Sequence, residues 1–210
     1  MNHCEYIIRP ETKGDAAITE NITREAFWNV YQPGCDEHYI LHRYRGLPEY
    51  IPELSLVLEE NGEILAHIMY SHAQVVTTEG KSVPVVLFGP VSVRPDKQKM
   101  GYGSALIRES LVRAKTMGFG AVVITGSAEY YSRFGFGSAQ SFGVYYGEIS
   151  DEPTPFFMAL ELKPGYLDGV RGVYSDPPGY LVDDADALAA FDAQFPKKEK
   201  LKLPGQIFGD

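Results

Sequence analysis

Gln98-Lys99-Met100-Gly101-Tyr102-Gly103 lies between an apolar run, Val83 to Val93, and an amphipathic segment, Ser104 to Met117. The run is interrupted only by Pro84, Gly89-Pro90 and Ser92 and reads as a strand. A strand, a turn with two glycines and a helix start together form an anion site. First-turn amides have no intrahelical partner, and the helix dipole places partial positive charge there. Glycines at 101 and 103 remove the Cβ atoms that would hold a phosphate away from the backbone. Gln98 adds a neutral amide donor. The turn suits a diphosphate, although a bare Gly-x-Gly also serves simply to start a helix. A dinucleotide fingerprint needs a third glycine where Leu106 stands, and a Walker A loop needs Gly-Lys-Ser/Thr, which this turn does not supply.

Outward from the turn, Leu106, Ile107, Leu111, Ala114 and Met117 give one apolar helical face, with Arg108, Glu109, Arg113 and Lys115 opposite and Gly118 as terminator. Ala121 to Thr125 reads as a buried strand, 129–134 as a short helix, and 141–147 and Phe156 to Leu162 as strands. Upstream, Glu5 to Pro10 reads as a first strand. Asp15 is a helix cap, with Ile18, Ile22, Ala26 and Phe27 as the inward face of a helix reaching Val30. A second helix covers Asp36 to Tyr44. Leu54 to Glu59 and Glu63 to Val76 form a hairpin about Asn61-Gly62, and Glu79-Gly80 turns into the Val83 run. Gly89-Pro90 is expected to break that strand's ladder midway. The order predicts an α/β fold with a mixed, mostly antiparallel central sheet flanked by helices. Glycines and prolines punctuate the tail, Tyr174 and Tyr180 are placed to pack on the main body, 183–195 has helical composition, and Pro196 onward reads as a loosely held end.

The pattern Gln98-x-x-Gly101-x-Gly103 resembles the pyrophosphate-binding loop of the GNAT superfamily of acyl-CoA N-acyltransferases, written Arg/Gln-x-x-Gly-x-Gly/Ala. Val91-Ser92-Val93-Arg94-Pro95 resembles that family's lead-in strand, and Tyr131-x-x-x-Gly135-Phe136 resembles its Tyr-x-x-x-Gly-Phe segment. The resemblance covers 5–163 and is clearest over 83–136. It implies a GNAT N-acetyltransferase domain at 1–163 and a C-terminal extension at 164–210, packed on it, of the kind found in one branch of the family.

That resemblance implies acetyl-CoA as acyl donor. Its anchors would be the backbone of Lys99, Met100, Gly101, Tyr102, Gly103 and Ser104 with the Gln98 side chain, and Val91, Ser92 and Val93 would meet the pantetheine arm and polarise the carbonyl. Lys97, Lys99 and Arg94 are candidates for the 3′-phosphate. Tyr131 is the implied general acid, with Tyr130 the alternative in a shifted register. The implied reaction is direct attack of a primary amine on the thioester in a ternary complex. A non-catalytic acyl-CoA sensor is the alternative, and a nucleotide-binding or redox protein a third reading.

The general base is less defined: Glu53, His67 and His72 are candidates, and ordered water can do the same work. His38 and His42 share a helical face beside Glu37, but without a third ligand this reads as a solvated face, and no metal is expected. Phe27, Trp28, Tyr31, Tyr39 and Tyr44 read as packing residues or pocket liners. Cys35, in a loop without an activating pair, does not read as a nucleophile.

Composition narrows the partners. The 210 residues carry net charge −9, and 151–210 holds 11 acids against 6 bases. This speaks against nucleic acid, which wants a basic face, and suits an amine acceptor, small-molecule or peptide. Two cysteines, Cys4 and Cys35, make no disulfide framework. With no leader-like N-terminus and no membrane-length apolar run, a cytoplasmic protein is expected. A homodimer closed by the tail is left open.

Overall fold

A computed structural model describes residues 6–207. The strands are β1 (Tyr6–Pro10), β2 (Leu56–Glu60), β3 (Glu63–Thr77), β4 (Ser82–Val93), β5 (Ala121–Thr125), β6 (Gly137–Ser138), β7 (Val144–Tyr146), β8 (Phe157–Glu161) and β9 (Gly172–Tyr174). The helices are α1 (Ala16–Phe27), α2 (Glu37–Tyr44), α3 (Tyr102–Thr116), α4 (Ala128–Tyr131) and α5 (Ala185–Asp192). Glu5, expected to open β1, and Cys4 lie outside the described residues. The strands pair in the order β1-β2-β3-β4-β5-β8-β6, with β9 joining β3 and β7. The β4–β5 and β7–β9 pairs are parallel and the other registered pairs antiparallel, which makes the sheet mixed and mostly antiparallel.

The described residues form two compact units, one of 6–69, 90–107 and 178–207, the other of 70–89 and 108–177. In the first unit, β1 runs along β2 from Tyr6↔Glu60 to Pro10↔Leu56, and β2 turns back into β3 through Asn61-Gly62, both at positive φ. Ile22 of α1 packs with Val57 and Ile64. Ile40, Leu41 and Tyr44 of α2 pack with Met69, and Leu47, Tyr50, Tyr180 and Val182 close that cluster.

Helix α1 departs from its apolar pattern. Ile18 is 49% exposed, whereas Thr19, Thr23 and Arg24 are buried. Polar partners decide this. Thr23 bonds Ser92 at 2.9 Å, and Arg24 donates to Asp192 at 2.6 Å. Asp15 does not cap α1 with its side chain. It accepts from Thr12 N–H at 2.8 Å and from Arg9 at 2.7 Å, and these bonds hold its carboxyl down to about 2, the Arg9 bond foremost. Hydrogen bonds tie several described residues after Pro196 to the segment that follows α1. Trp28 Nε1 donates to the Glu199 carbonyl at 2.9 Å, Leu201 N–H to Asn29 at 3.0 Å and Ile207 N–H to the Tyr31 carbonyl at 3.0 Å.

In the second unit, β5 pairs β4 at Val86↔Val122 and Leu87↔Val123 and pairs β8 along its whole length. At Gly89-Pro90 the strand itself continues to Val93, but its ladder to β5 stops at Leu87↔Val123, the break expected there; Gly89 takes φ +152. The tail supplies β9, which runs beside β3 from Val75↔Tyr174 to Thr77↔Gly172, with Tyr174 buried. The strand expected over 141–147 shortens to β7, because Ala139–Phe142 forms a 3-10 turn ending at Gly143.

Candidate functional site

The turn after β4 places the predicted anchor residues at the start of α3. A 3-10 turn, Pro95–Lys97, takes the chain from β4 toward α3. Lys99 and Gly101 then adopt left-handed φ of 62° and 95°. A Cβ on Gly101 would meet no atom within 4 Å, so conformation and not crowding calls for glycine there. The first helical bond of α3 runs from Ala105 N–H to the Gly101 carbonyl at 2.9 Å. The amides of Lys99, Met100, Gly101, Gly103 and Ser104 donate to no described residue. Five such donors at a helix N-terminus favour negative charge.

Side chains around the turn brace it. Gln98 Nε2 donates to the Val93 carbonyl at 3.2 Å. The Tyr102 hydroxyl reaches both carboxylate oxygens of Glu60, at 3.0 and 3.1 Å, and its ring meets Tyr6 edge-on. These bonds tie the start of α3 to β4 and β2. Nothing local in the sequence announces the Tyr102–Glu60 pair, because its members stand 42 positions apart. Arg94 is held by Glu63 at 2.9 Å and Asp96 at 2.7 Å, so its charge is already compensated. Lys99 is exposed and Lys97 partly so. The Ser92 hydroxyl is buried against Thr23.

In the second unit, Ser127 caps α4 and Tyr131 ends it, half-buried in an aromatic cluster. Its ring lies 5.9 Å from Phe88, 6.1 Å from Phe136 and 4.9 Å from Tyr130. A Cβ on Gly126 would come within 2.7 Å of that ring, so the ring can lie there only because residue 126 is a glycine. Tyr130 is taken up differently, with the Arg133 guanidinium 4.4 Å over its face.

The base candidates separate. His67 is fully buried, with Nε2 3.6 Å from Glu11 Oε1 and neither ring nitrogen in hydrogen-bond geometry. His72 is exposed against Phe119, and Glu53 is exposed in a turn. His38 and His42 do not converge. His42 pairs with Glu20 at 2.9 Å, while His38 lies between Cys35, 3.5 Å away, and Asp192, 3.3 Å away. Burial lowers the His38 pKa to about 4 and pushes the Cys35 thiol up, which leaves both neutral. Among the described residues no group of three His, Cys, Asp or Glu could hold a metal, and no helix is long and apolar enough to cross a membrane. The Arg24 guanidinium lies over the Trp28 ring, and Tyr39 and Tyr44 meet Phe191 and Tyr180 at tilted angles, so these aromatics pack.

Residues 8–139 match the family model described as an acetyltransferase (GNAT) domain. The chain belongs to the GNAT acetyltransferase family. A GNAT family acetyltransferase from Brucella melitensis, solved in complex with acetyl-CoA, is 30% identical, with TM-score 0.68 over 85% of this chain and 100% of that one. The GNAT family N-acetyltransferase YhbS from Escherichia coli, solved in complex with CoA, shares the fold at 22% identity, with TM-score 0.73 over 86% of this chain and 94% of that one. The uncharacterized N-acetyltransferase YjhQ of Escherichia coli (strain K12) is 36% identical over 87 residues, 40% of this chain, and that match spans about half, 46%, of the relative's length.

Proposed function

We propose that this protein transfers an acetyl group from acetyl-CoA to a primary amine by direct attack in a ternary complex. The observation that carries the reading is the row of unengaged amides at Lys99, Met100, Gly101, Gly103 and Ser104, at the head of α3. They would hold the diphosphate, and the Brucella melitensis relative with acetyl-CoA supports that ligand class. The backbone of Val91 to Val93 would bond the pantetheine arm and polarise the thioester carbonyl.

The neutral amine nitrogen attacks the carbonyl carbon, and the carbon–sulfur bond breaks as the tetrahedral intermediate collapses. The departing thiolate takes the hydroxyl proton of Tyr131, and the proton lost by the amine returns through water to the tyrosinate. Holding both reactants together supplies much of the rate, and the backbone donors stabilise the oxyanion. Calorimetric titration with acetyl-CoA tests the reading, using wild type and Gly103→Glu. Micromolar binding lost in the variant, with amine-dependent thiol release by wild type, is the expected result. Absence of binding by wild type overturns it, and binding without release by any amine identifies a sensor instead.

A further inference from the structure

One ring away from Tyr131 the second unit holds a polar pair that packing alone does not call for. Tyr70 of β3 and Ser110 of α3 are both fully buried, and their hydroxyl oxygens lie 2.9 Å apart. Either oxygen can be the donor, since each hydroxyl carries one proton and accepting lone pairs. Phenylalanine and alanine at these two positions would fill nearly the same space with no polar atom to satisfy. Replacing both partners of a buried hydrogen bond in this way is often neutral for stability.

Phe88 of β4 joins this pair to Tyr131. Its ring lies 5.3 Å from the Tyr70 ring and 5.9 Å from the Tyr131 ring. Phe88 also meets Phe136 edge-on at 5.9 Å, and Phe136 meets Tyr131 at 6.1 Å. Phe88 and Phe136 are buried, so the wall behind Tyr131 is well packed. Tyr130, Arg133, Arg108 and Glu129 border the cluster as well. Tyr130 stands edge-on to Tyr131 at 4.9 Å and carries Arg133 over its face, Arg108 lies 5.1 Å over Phe134, and Glu129 is exposed.

The two phenols also act on each other through charge. Burial pushes the Tyr70 phenol up, the Ser110 bond opposes this, and the charge of an ionised Tyr131 pushes it further. Two phenols that repel as anions do not ionise together, and the more buried one keeps its proton. Tyr70 is that one, and half-buried Tyr131 is the one that gives its proton away. When it does, negative charge forms in an aromatic surrounding. A hydroxyl pair whose donor can reverse answers such a charge by rotating protons, with no heavy atom displaced.

We propose that Tyr70, held by Ser110, is a positioning residue for Tyr131: the pair turns its dipole toward the tyrosinate and so strengthens Tyr131 as an acid. Its place in catalysis rests on the acetyl-transfer reading; its effect on the Tyr131 phenol does not. The test compares wild type, Tyr70→Phe, Ser110→Ala and the double variant, each also combined with Tyr131→Phe. Acetyl transfer is followed across pH. Separately, without acetyl-CoA, the Tyr131 phenol is titrated through the resonances of ring-labelled tyrosine, its signal assigned by its loss in Tyr131→Phe.

Tyr70→Phe should lower kcat about fivefold, with the acetyl-CoA KM within about twofold. It should also move the alkaline limb of kcat, and the Tyr131 titration, to higher pH. Combined with Tyr131→Phe it should change kcat by less than about twofold, because its effect passes through that phenol. Ser110→Ala should act the same way by a smaller factor. An unchanged kcat overturns the proposal. So does a fall in kcat without a shift in the titration, or a fall that persists in the Tyr131→Phe background, since either marks a packing role. Should Tyr70→Phe fail to fold, Ser110→Ala gives the same reading. Should acetyl-CoA neither bind nor react with wild type, the transfer reading fails and the titration alone decides: a Tyr131 phenol shifted upward in Tyr70→Phe upholds the dipole's action, and an unshifted one overturns it.

Discussion

Arg24 on α1 places its Nε 2.6 Å from Oδ1 of Asp192 at the end of α5, 168 positions later in the chain. The guanidinium is 1% exposed and lies 4.1 Å over the Trp28 ring. Its Nη1 has no hydrogen bond, and the other nearby carboxylate, Glu25, is 3.7 Å away. Asp192 is thus the principal compensation for a buried cation. Its loss leaves that charge desolvated, at a cost of about 3 kcal/mol or more. Asp192→Ala should unfold at markedly lower urea concentration than wild type, and Asp192→Asn should fall between them. Equal midpoints would show that water or Glu25 compensates Arg24.

Tyr131 and Gly126 should act as a unit. If Tyr131 is the acid, Tyr131→Phe lowers kcat on the order of a hundredfold and leaves acetyl-CoA affinity unchanged. Gly126→Ala puts a methyl 2.7 Å from the ring and must move it. A loss of about tenfold is expected from Gly126→Ala alone, and almost none when it is added to Tyr131→Phe, since residues in contact are not additive. Independent losses would mean that Gly126 matters for something other than aiming Tyr131.

Glu37 gives a pH signature. Burial, then the neighbouring Asp36, raise its pKa to about 7, while an amide bond from Asp36 N–H at 3.2 Å partly opposes them. The folded state holds this proton to higher pH than the unfolded chain does. Stability is therefore lost as pH rises from the unfolded carboxyl value, about 4.3, through 7. Buried His38, lowered to about 4, works oppositely, costing stability as pH falls below its ordinary value. Glu37→Gln should isolate the first effect, with Tm above wild type at pH 8 and little difference at pH 5. A constant Tm difference across that range would remove Glu37 as the cause.

Lys99 holds a left-handed φ of 62° without being glycine, a strain of about 1 kcal/mol. Lys99→Gly should raise Tm slightly. It should leave acetyl-CoA affinity unchanged if only the backbone amide serves the ligand. A fall in affinity that shrinks with added salt would show the ammonium group meeting a phosphate.

The parts legible in the sequence were those with local causes. The strand read at Ala121 to Thr125 is β5 to the residue, because an uninterrupted run buried on both sides is bounded by turns. Asn61-Gly62 carries its own positive-φ chemistry, and the 98–104 turn declares itself through glycine spacing. Two- and three-residue strands such as β6 and β9 have too few positions to show alternation. The inward side of α1 departs from the expected one at Ile18, and Thr23 and Arg24 are buried instead, because the deciding partners, Ser92 and Asp192, come from distant segments. The Tyr70–Ser110 pair is invisible for a related reason: its members stand 40 positions apart.

The Arg24–Asp192 pair also fixes an order of events at the ribosome. At ordinary elongation rates, the carboxylate emerges roughly ten to thirty seconds after the cation it must meet. Throughout that interval α1 cannot bury its inner side without stranding a charge. The segment containing the glycine turn at 98–104 is synthesised well before the first unit can finish assembling, so a nascent chain arrested before residue 192 should remain protease-sensitive over α1 and α2.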